Sequence, residues 1–262
     1  MSSNPTVSIQ NVTKTFNEGE TNQVLALKDI QFDIQPGEFV SIIGPSGCGK
    51  STLLRLVGDL IAPSHGRVLV NNKSAHQARL DQDYGVVFQS ATLYEWRTVT
   101  KNVQLPLELQ GLAKDERETR AKEMLELVEL TGFENHHPWQ LSGGMQQRVA
   151  IPRALAMRSQ LMLMDEPFGA LDEMTRERMN MELHTIWERT NKTVIFITHS
   201  IAEAVFMSTK VIVMSARPGR ITQEIEIDLS RHRTISTRED TRYFELVNQV
   251  REALREAEAM SE

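Results

Sequence analysis

Three short stretches of the chain carry residue types that could do chemistry together. The first is Gly44-Pro45-Ser46-Gly47-Cys48-Gly49-Lys50-Ser51-Thr52. It fits Gly-x-x-x-x-Gly-Lys-Ser in full, after the β-branched run Phe39-Val40-Ser41-Ile42-Ile43 and before a helical stretch. Glycines let such a loop turn tightly and aim successive N–H groups inward. The helix that follows adds its positive end, so the stretch is a ready anion cradle. Lys50 has the reach for the β- and γ-phosphates of a nucleotide, and the Ser51 hydroxyl suits Mg²⁺. Cys48 occupies a loop position that requires no particular side chain.

The second stretch is Asp165-Glu166-Pro167, after the apolar run Leu161 to Met164. Acids are not tolerated unpaired inside a buried strand, but strand ends open onto the ligand crevice of α/β sheets. Asp165 is suited to hold Mg²⁺, directly or through water. Adjacent side chains of an extended segment point opposite ways, so Glu166 is expected to face an attacking water while Asp165 faces the metal. Pro167 biases Glu166 toward an extended backbone. The third stretch, Leu141-Ser142-Gly143-Gly144-Met145-Gln146-Gln147-Arg148, opens a helix. Ser-Gly-Gly there fits a linker or a cap, and it also fits an anion site at a helix start.

The elements that must position these residues can be read from periodicity. Val7 to Val12 and Val24 to Ile34 alternate as half-buried strands do. Phe39–Ile43, Tyr84–Phe88, Leu161–Met164 and Thr193–Thr198 are short apolar runs, the last two as expected of parallel strands covered on both faces. Ser51 to Leu60 reads as a helix, and helices are expected from about Glu173 and Ile201. From Val99 to about Leu130 the pattern is helical, with Ala121, Met124, Leu125 and Val128 on one face. Val211–Met214 and Glu224–Ile227 are strand-like around a turn at Pro218-Gly219. Tyr243, Leu246, Val247, Val250 and Leu254 form one helical stripe. His136-His137-Pro138 reads as a loop, because no Cys or carboxylate cluster nearby completes a metal site.

The chain has 262 residues, 40% of them apolar, and a formal net charge of −6. That balance excludes a uniformly basic nucleic-acid binder and leaves room for one sizeable core. A single cysteine rules out an internal disulfide, which suits a reducing compartment. The opening residues lack a signal-peptide pattern, and no run approaches the ~18 apolar residues of a membrane span. The sequence therefore predicts a soluble chain that reaches a membrane only through a partner.

Together with His199, the three stretches closely resemble the ATP-binding cassette ATPases, over nearly the whole chain. The resemblance implies an α/β P-loop NTPase fold: a mixed/parallel sheet core, an N-terminal antiparallel β section and an inserted α-helical subdomain. On this chain that gives a single domain, with 1–91 and 141–225 as core, 92–140 as the helical insertion and 226–262 as a C-terminal extension ending in a helix. It implies ATP and Mg²⁺ as ligands, held by Gly44 to Thr52, with Phe16 the aromatic under the adenine; by residue type alone Phe16 equally fits a core. Ser51, Gln89 and Asp165 would hold the metal. Glu166, His199 and Gln89 would be catalytic.

A head-to-tail homodimer is also implied. Leu141, Ser142, Gly143, Gly144, Met145, Gln146 and Asp172 would touch the nucleotide bound by the other subunit. Two departures stand out. Met145 replaces the commonest Gln, and Pro152 sits where a helix former is expected, so a kink is expected there. Met214-Ser215-Ala216-Arg217-Pro218-Gly219-Arg220-Ile221 and the Leu-Ser-Gly-Gly-Met variant resemble the nitrate/sulfonate/taurine import group. That implies an ATPase subunit peripheral to the cytoplasmic face of the inner membrane. Two permease subunits would dock near Gln89 to Arg97, with an extracytoplasmic substrate-binding protein and no nucleic acid. Trp96 suits either that contact or a core, and Arg217 and Arg220 receive no site role. An exporter, a lipid-trafficking ATPase and a soluble cassette ATPase are the competing classes. The close spacing of Lys50 and Asp165 leaves no room for the long coiled coil of DNA-repair members.

Overall fold

The computed structural model describes residues 4–157 and 159–259. In chain order the strands are β1 (Val7–Phe16), β2 (Val24–Ile34), β3 (Phe39–Ile43), β4 (His65–Val70), β5 (Lys73–Ser74), β6 (Tyr84–Val87), β7 (Leu161–Asp165), β8 (Thr193–Ile197), β9 (Lys210–Met214) and β10 (Ile221–Glu226). The α-helices are α1 (Lys50–Val57), α2 (Ala75–Leu80), α3 (Val99–Leu109), α4 (Lys114–Leu127), α5 (Gly143–Leu155), α6 (Glu173–Thr190), α7 (Ile201–Met207) and α8 (Thr241–Ala259).

Two sheets form. One is antiparallel, in the order β2-β1-β4-β5; the other runs β10-β9-β3-β8-β7-β6. In the second, β9, β3, β8, β7 and β6 are parallel, and β10 closes the edge antiparallel to β9. The all-apolar strands are explained by what lies on each side. Phe39, Met162, Met164, Val194 and Phe196 join a core with α5 to α8. Val40, Ile42, Leu161, Leu163, Ile195 and Ile197 face a second core built with α1 and the antiparallel sheet. Alternate residues of one strand thus serve opposite cores, each fully buried side chain contributing on the order of 1.5–3 kcal/mol.

The helices form where expected, with particular breaks and bounds. The stretch from Val99 is broken into α3 and α4 by a turn at Gly111, whose φ of +75° is a conformation glycine adopts freely. Pro152 does not interrupt α5, which runs through it to Leu155, and the Pro152 side chain is buried. The ring sits in the core, and Ala156 N–H still donates to the Pro152 carbonyl at 2.8 Å. The expected helix at Ser51–Leu60 begins one residue earlier and ends at Val57. Among the described residues, no helix is long and apolar enough to cross a membrane.

Candidate functional site

Four neighbouring parallel strands, β3, β8, β7 and β6, deliver the candidate residues at one end of the sheet. Beyond β3 comes the Gly44–Thr52 loop; beyond β8, His199; at the end of β7, Asp165 and Glu166; beyond β6, Gln89. This is the carboxyl edge of an α/β sheet, where ligands bind.

The loop is shaped by close approach. A Cβ on Gly44 would lie 2.7 Å from the Met214 carbonyl oxygen, and one on Gly49 2.7 Å from Leu27 Cδ2. Gly49, at φ +105°, caps α1 without a side chain. Cys48 is buried, and burial raises its thiol pKa above the ordinary value despite Lys50 alongside. Lys50 is 5% exposed; its Nζ donates to the carbonyls of Gly44 at 2.8 Å and Pro45 at 3.0 Å. Pro45, Ser51 and Thr52 are half-buried, while Ser46 and Gly47 are exposed.

The Ser51 hydroxyl donates to Asp165 Oδ1 at 2.9 Å. Asp165 is buried, and desolvation raises its carboxyl pKa against that hydrogen bond. A hydroxyl and a carboxylate so paired are hard oxygen donors of the kind Mg²⁺ takes, and the residues fit that ion. Glu166 points elsewhere. His199 Nε2 lies 2.5 Å from its Oε1, and Gln89 Nε2 donates to its Oε2 at 3.0 Å. The two acids do diverge as expected, but the backbone reason is different. Glu166 is left-handed, with φ +48°, not extended. Its N–H donates to the Ile197 carbonyl at 3.0 Å, so a bond to β8 holds a conformation that non-glycine residues seldom adopt.

Ser142 caps α5, its Oγ accepting from the Met145 N–H at 3.3 Å. Ser142 and Gly143 are exposed, and a Cβ on Gly143 would meet nothing within 4 Å. Leu141 is buried, and Gln146 Nε2 donates to the Pro138 carbonyl at 2.9 Å, anchoring the start of the helix. Gly144 packs against Leu171, so this helix start and the Asp172 loop share one face. Asp172 caps α6, accepting from the Thr175 N–H at 3.0 Å, which holds its pKa below the ordinary value. Phe16 is 36% exposed at the end of β1, under the Lys14 ammonium at 5.1 Å. The structure places it outside both cores.

Sequence reasoning passed over Arg217. Its Nη2 donates to the Gly47 carbonyl at 3.3 Å, on the exposed side of the loop. Gly219 brings it there: Gly219 N–H donates to Ala26 O at 2.9 Å, and Lys28 N–H to Gly219 O at 3.0 Å. A Cβ on Gly219 would fall 2.0 Å from the Cys48 carbonyl oxygen. The Pro-Gly turn was the available signal, but its packing partner lies some 170 residues away in sequence.

The segment after Gln89 is also fixed. Arg153 of α5 donates to the carbonyls of Thr92 at 2.8 Å and Ala91 at 2.9 Å, and Gln147 to that of Phe88 at 3.0 Å. Asn102, fully buried, binds the Tyr94, Arg97 and Thr98 carbonyls. On this clamped turn Trp96 is 73% exposed, its ring 4.7 Å from that of Tyr94, which lines a cleft of about 440 Å³.

Comparison with known proteins agrees with this geometry. The family model described as ABC transporter matches residues 27–169. An ABC transporter ATP-binding protein of Methanocaldococcus jannaschii is 50% identical over 227 residues, covering 87% of this chain and 84% of its own length. The taurine import ATP-binding protein TauB of Rhizobium johnstonii is 48% identical over 208 residues, 79% of each chain. Among solved structures, the dimeric post-hydrolysis state of the ATP-binding cassette MJ0796 bound to ADP and Pi superposes with a TM-score of 0.77 at 39% identity, covering 86% of this chain and 100% of that one.

Proposed function

Since this chain belongs to the ABC transporter family of ATPases, we propose that it is the nucleotide-binding subunit of an importer for a small anion such as taurine, another sulfonate or nitrate. The observation that carries the ATPase chemistry is the delivery of Lys50, Asp165, Glu166, His199 and Gln89 by adjacent strand ends. The importer reading rests on the TauB relatives, 45–48% identical over more than three quarters of this chain.

The residues divide the work by position. The Gly44–Thr52 loop receives the phosphates, and Lys50 leaves the Gly44 and Pro45 carbonyls to meet the β- and γ-oxygens. Ser51 and Asp165 would hold Mg²⁺, with Gln89 completing the set, and an ion held there would supply positive charge against the phosphates. Glu166, tied to His199 and Gln89, orients and polarises the attacking water. His199 stabilises the γ-phosphate. Phe16 stacks on the base. A second copy supplies Leu141 to Gln146 and Asp172, so ATP closes a head-to-tail dimer and hydrolysis reopens it.

Two permease subunits dock on the cleft beside Tyr94 and Trp96. Exposed aromatic side chains on a rigid turn are favourable contact residues. Gln89 starts the segment that Arg153 holds, so a push on this turn has a short path to Glu166. The subunit is therefore peripheral to the cytoplasmic face of the membrane, and an extracytoplasmic binding protein selects the anion. Residues 92–140 act as the helical insertion between the two core segments.

The test is purification of the tagged chain from its own cells' membranes in mild detergent. Two permease copies with an associated substrate-binding protein are the expected result. Recovery from the soluble fraction with ribosomes or DNA-repair proteins would remove the transport reading and leave the ATPase.

A further inference from the structure

A cleft of about 440 Å³ opens between the first turns of α6 and the chain leading into α8. Its apolar surface comes from Met174, Met181 and Ile235. Met174 is 76% exposed and Ile235 74%, which leaves two large apolar side chains of one cleft facing water. Charged side chains of both signs surround them. Glu177 pairs with Arg238, and Arg178 pairs with Glu129 at 3.0 Å. The far wall is rigid, because the segment beyond α7 is pinned. Arg233, 3% exposed, donates to the carbonyls of Val205, Phe206 and Ser208, and Arg238 lies over the Phe206 ring at 4.6 Å.

We infer that this cleft is a second contact surface between two copies of the chain, extending the face made by Ser142 and Asp172. The inference rests on the head-to-tail dimer proposed above. Three observations select a second copy as the occupant. Met174 is two residues from Asp172, on the same helix that Asp172 caps. The Asp172 loop packs on the start of α5 through Leu171 and Gly144, so the cleft continues a face already committed to the partner. The surface also carries charges of both signs around an apolar centre, Glu177 and Glu239 beside Arg178 and Arg238, which suits contact across a two-fold axis, where like surface patches meet. The C-terminal extension thereby acquires a role: it builds one wall of the dimer contact, and Ile235 is its apolar anchor.

The test uses the full chain carrying Glu166→Gln, to suppress hydrolysis, with ATP and Mg²⁺, and reads the monomer–dimer equilibrium by sedimentation. Adding Ile235→Glu or Met174→Glu is expected to raise the dimer dissociation constant about tenfold or more, because each substitution enters the contact twice. Both side chains are exposed in the single chain, so thermal unfolding of the ATP-free variants is expected to match the parent. A separate Ile235→Cys variant, in a chain whose Cys48 is buried, is expected to crosslink between copies with a short bifunctional reagent only when ATP is present. A parent that dimerises, with Ile235→Glu and Met174→Glu dimerising equally well and Ile235→Cys uncrosslinked, overturns the cleft and leaves the dimer. A parent that stays monomeric with ATP overturns both.

Discussion

The phosphate-loop side of the site and the Ser142–Asp172 side are built on opposite plans. The first is finished within one chain. Gly44, Gly49 and Gly219 are set where added Cβ atoms would strike neighbours, Lys50 is buried, and the Ser51–Asp165 pair is already hydrogen-bonded. The second is open. Ser142 and Gly143 are exposed, nothing stands within 4 Å of a Cβ on Gly143, and Asp172 satisfies only its own helix. On the function proposed above, the contrast separates binding from turnover: one chain would hold a nucleotide by itself, and reaction would require the open surface of a second copy.

Three predictions bear on that contrast, and a fourth stands apart from it. Lys50→Ala removes the only buried cation of the loop and is expected to lower hydrolysis on the order of 10²–10³-fold, with nucleotide affinity falling as well. Fluorescent-nucleotide titration beside a phosphate-release assay checks both. Ser142→Glu should behave differently: it places a carboxylate where the partner's γ-phosphate would sit, so hydrolysis falls by about 10²-fold while single-chain ATP affinity stays at the parent value. Equal losses in both quantities would erase the division between the two sides.

Gly219→Ala acts on the finished side without touching nucleotide. The methyl must displace the Cys48 carbonyl or the turn, a strain of about 1–3 kcal/mol, read as a lower unfolding midpoint together with weaker ATP binding. The smallest effect concerns neither side. His184 is buried against Trp187 and Phe206, with Arg231, Arg233, His232 and Glu188 around it; burial lowers its pKa from 6.5 to about 4. Above 6.5 the imidazole is neutral in both folded and unfolded chains. As pH falls toward 4 the unfolded chain takes up a proton that the folded one refuses, so stability is lost across that window. His184→Phe is expected to shift acid unfolding to lower pH and to leave the difference in stability between variant and parent constant above pH 7.

Much of the parallel sheet was legible because its strands are short apolar runs, and the phosphate loop because glycine spacing maps directly onto backbone geometry. Asp165 and Glu166 were readable as a pair at a strand end. What stayed hidden depends on distant packing. The left-handed Glu166 is fixed by a bond to Ile197, and local rules for a residue before proline favour the other outcome. Arg217 reaches the loop only because Gly219 docks on Ala26 and Lys28. Pro152 inside α5 breaks a local rule and survives in the core. The stretch from Val99 to about Leu130 was legible as helical, and Gly111 marks where α3 gives way to the turn before α4.

The hydrogen bonds of Lys50 make its loop a competitor for its own cation. The Gly44 and Pro45 carbonyls already accept from the ammonium, so in the role proposed for Lys50 an arriving phosphate would not find a bare charge but would displace two bound acceptors. The affinity of the site is then a difference between two occupants of one lysine. Anything that improves the loop's grip on Lys50 weakens the nucleotide's, and product leaves by the same exchange run backwards.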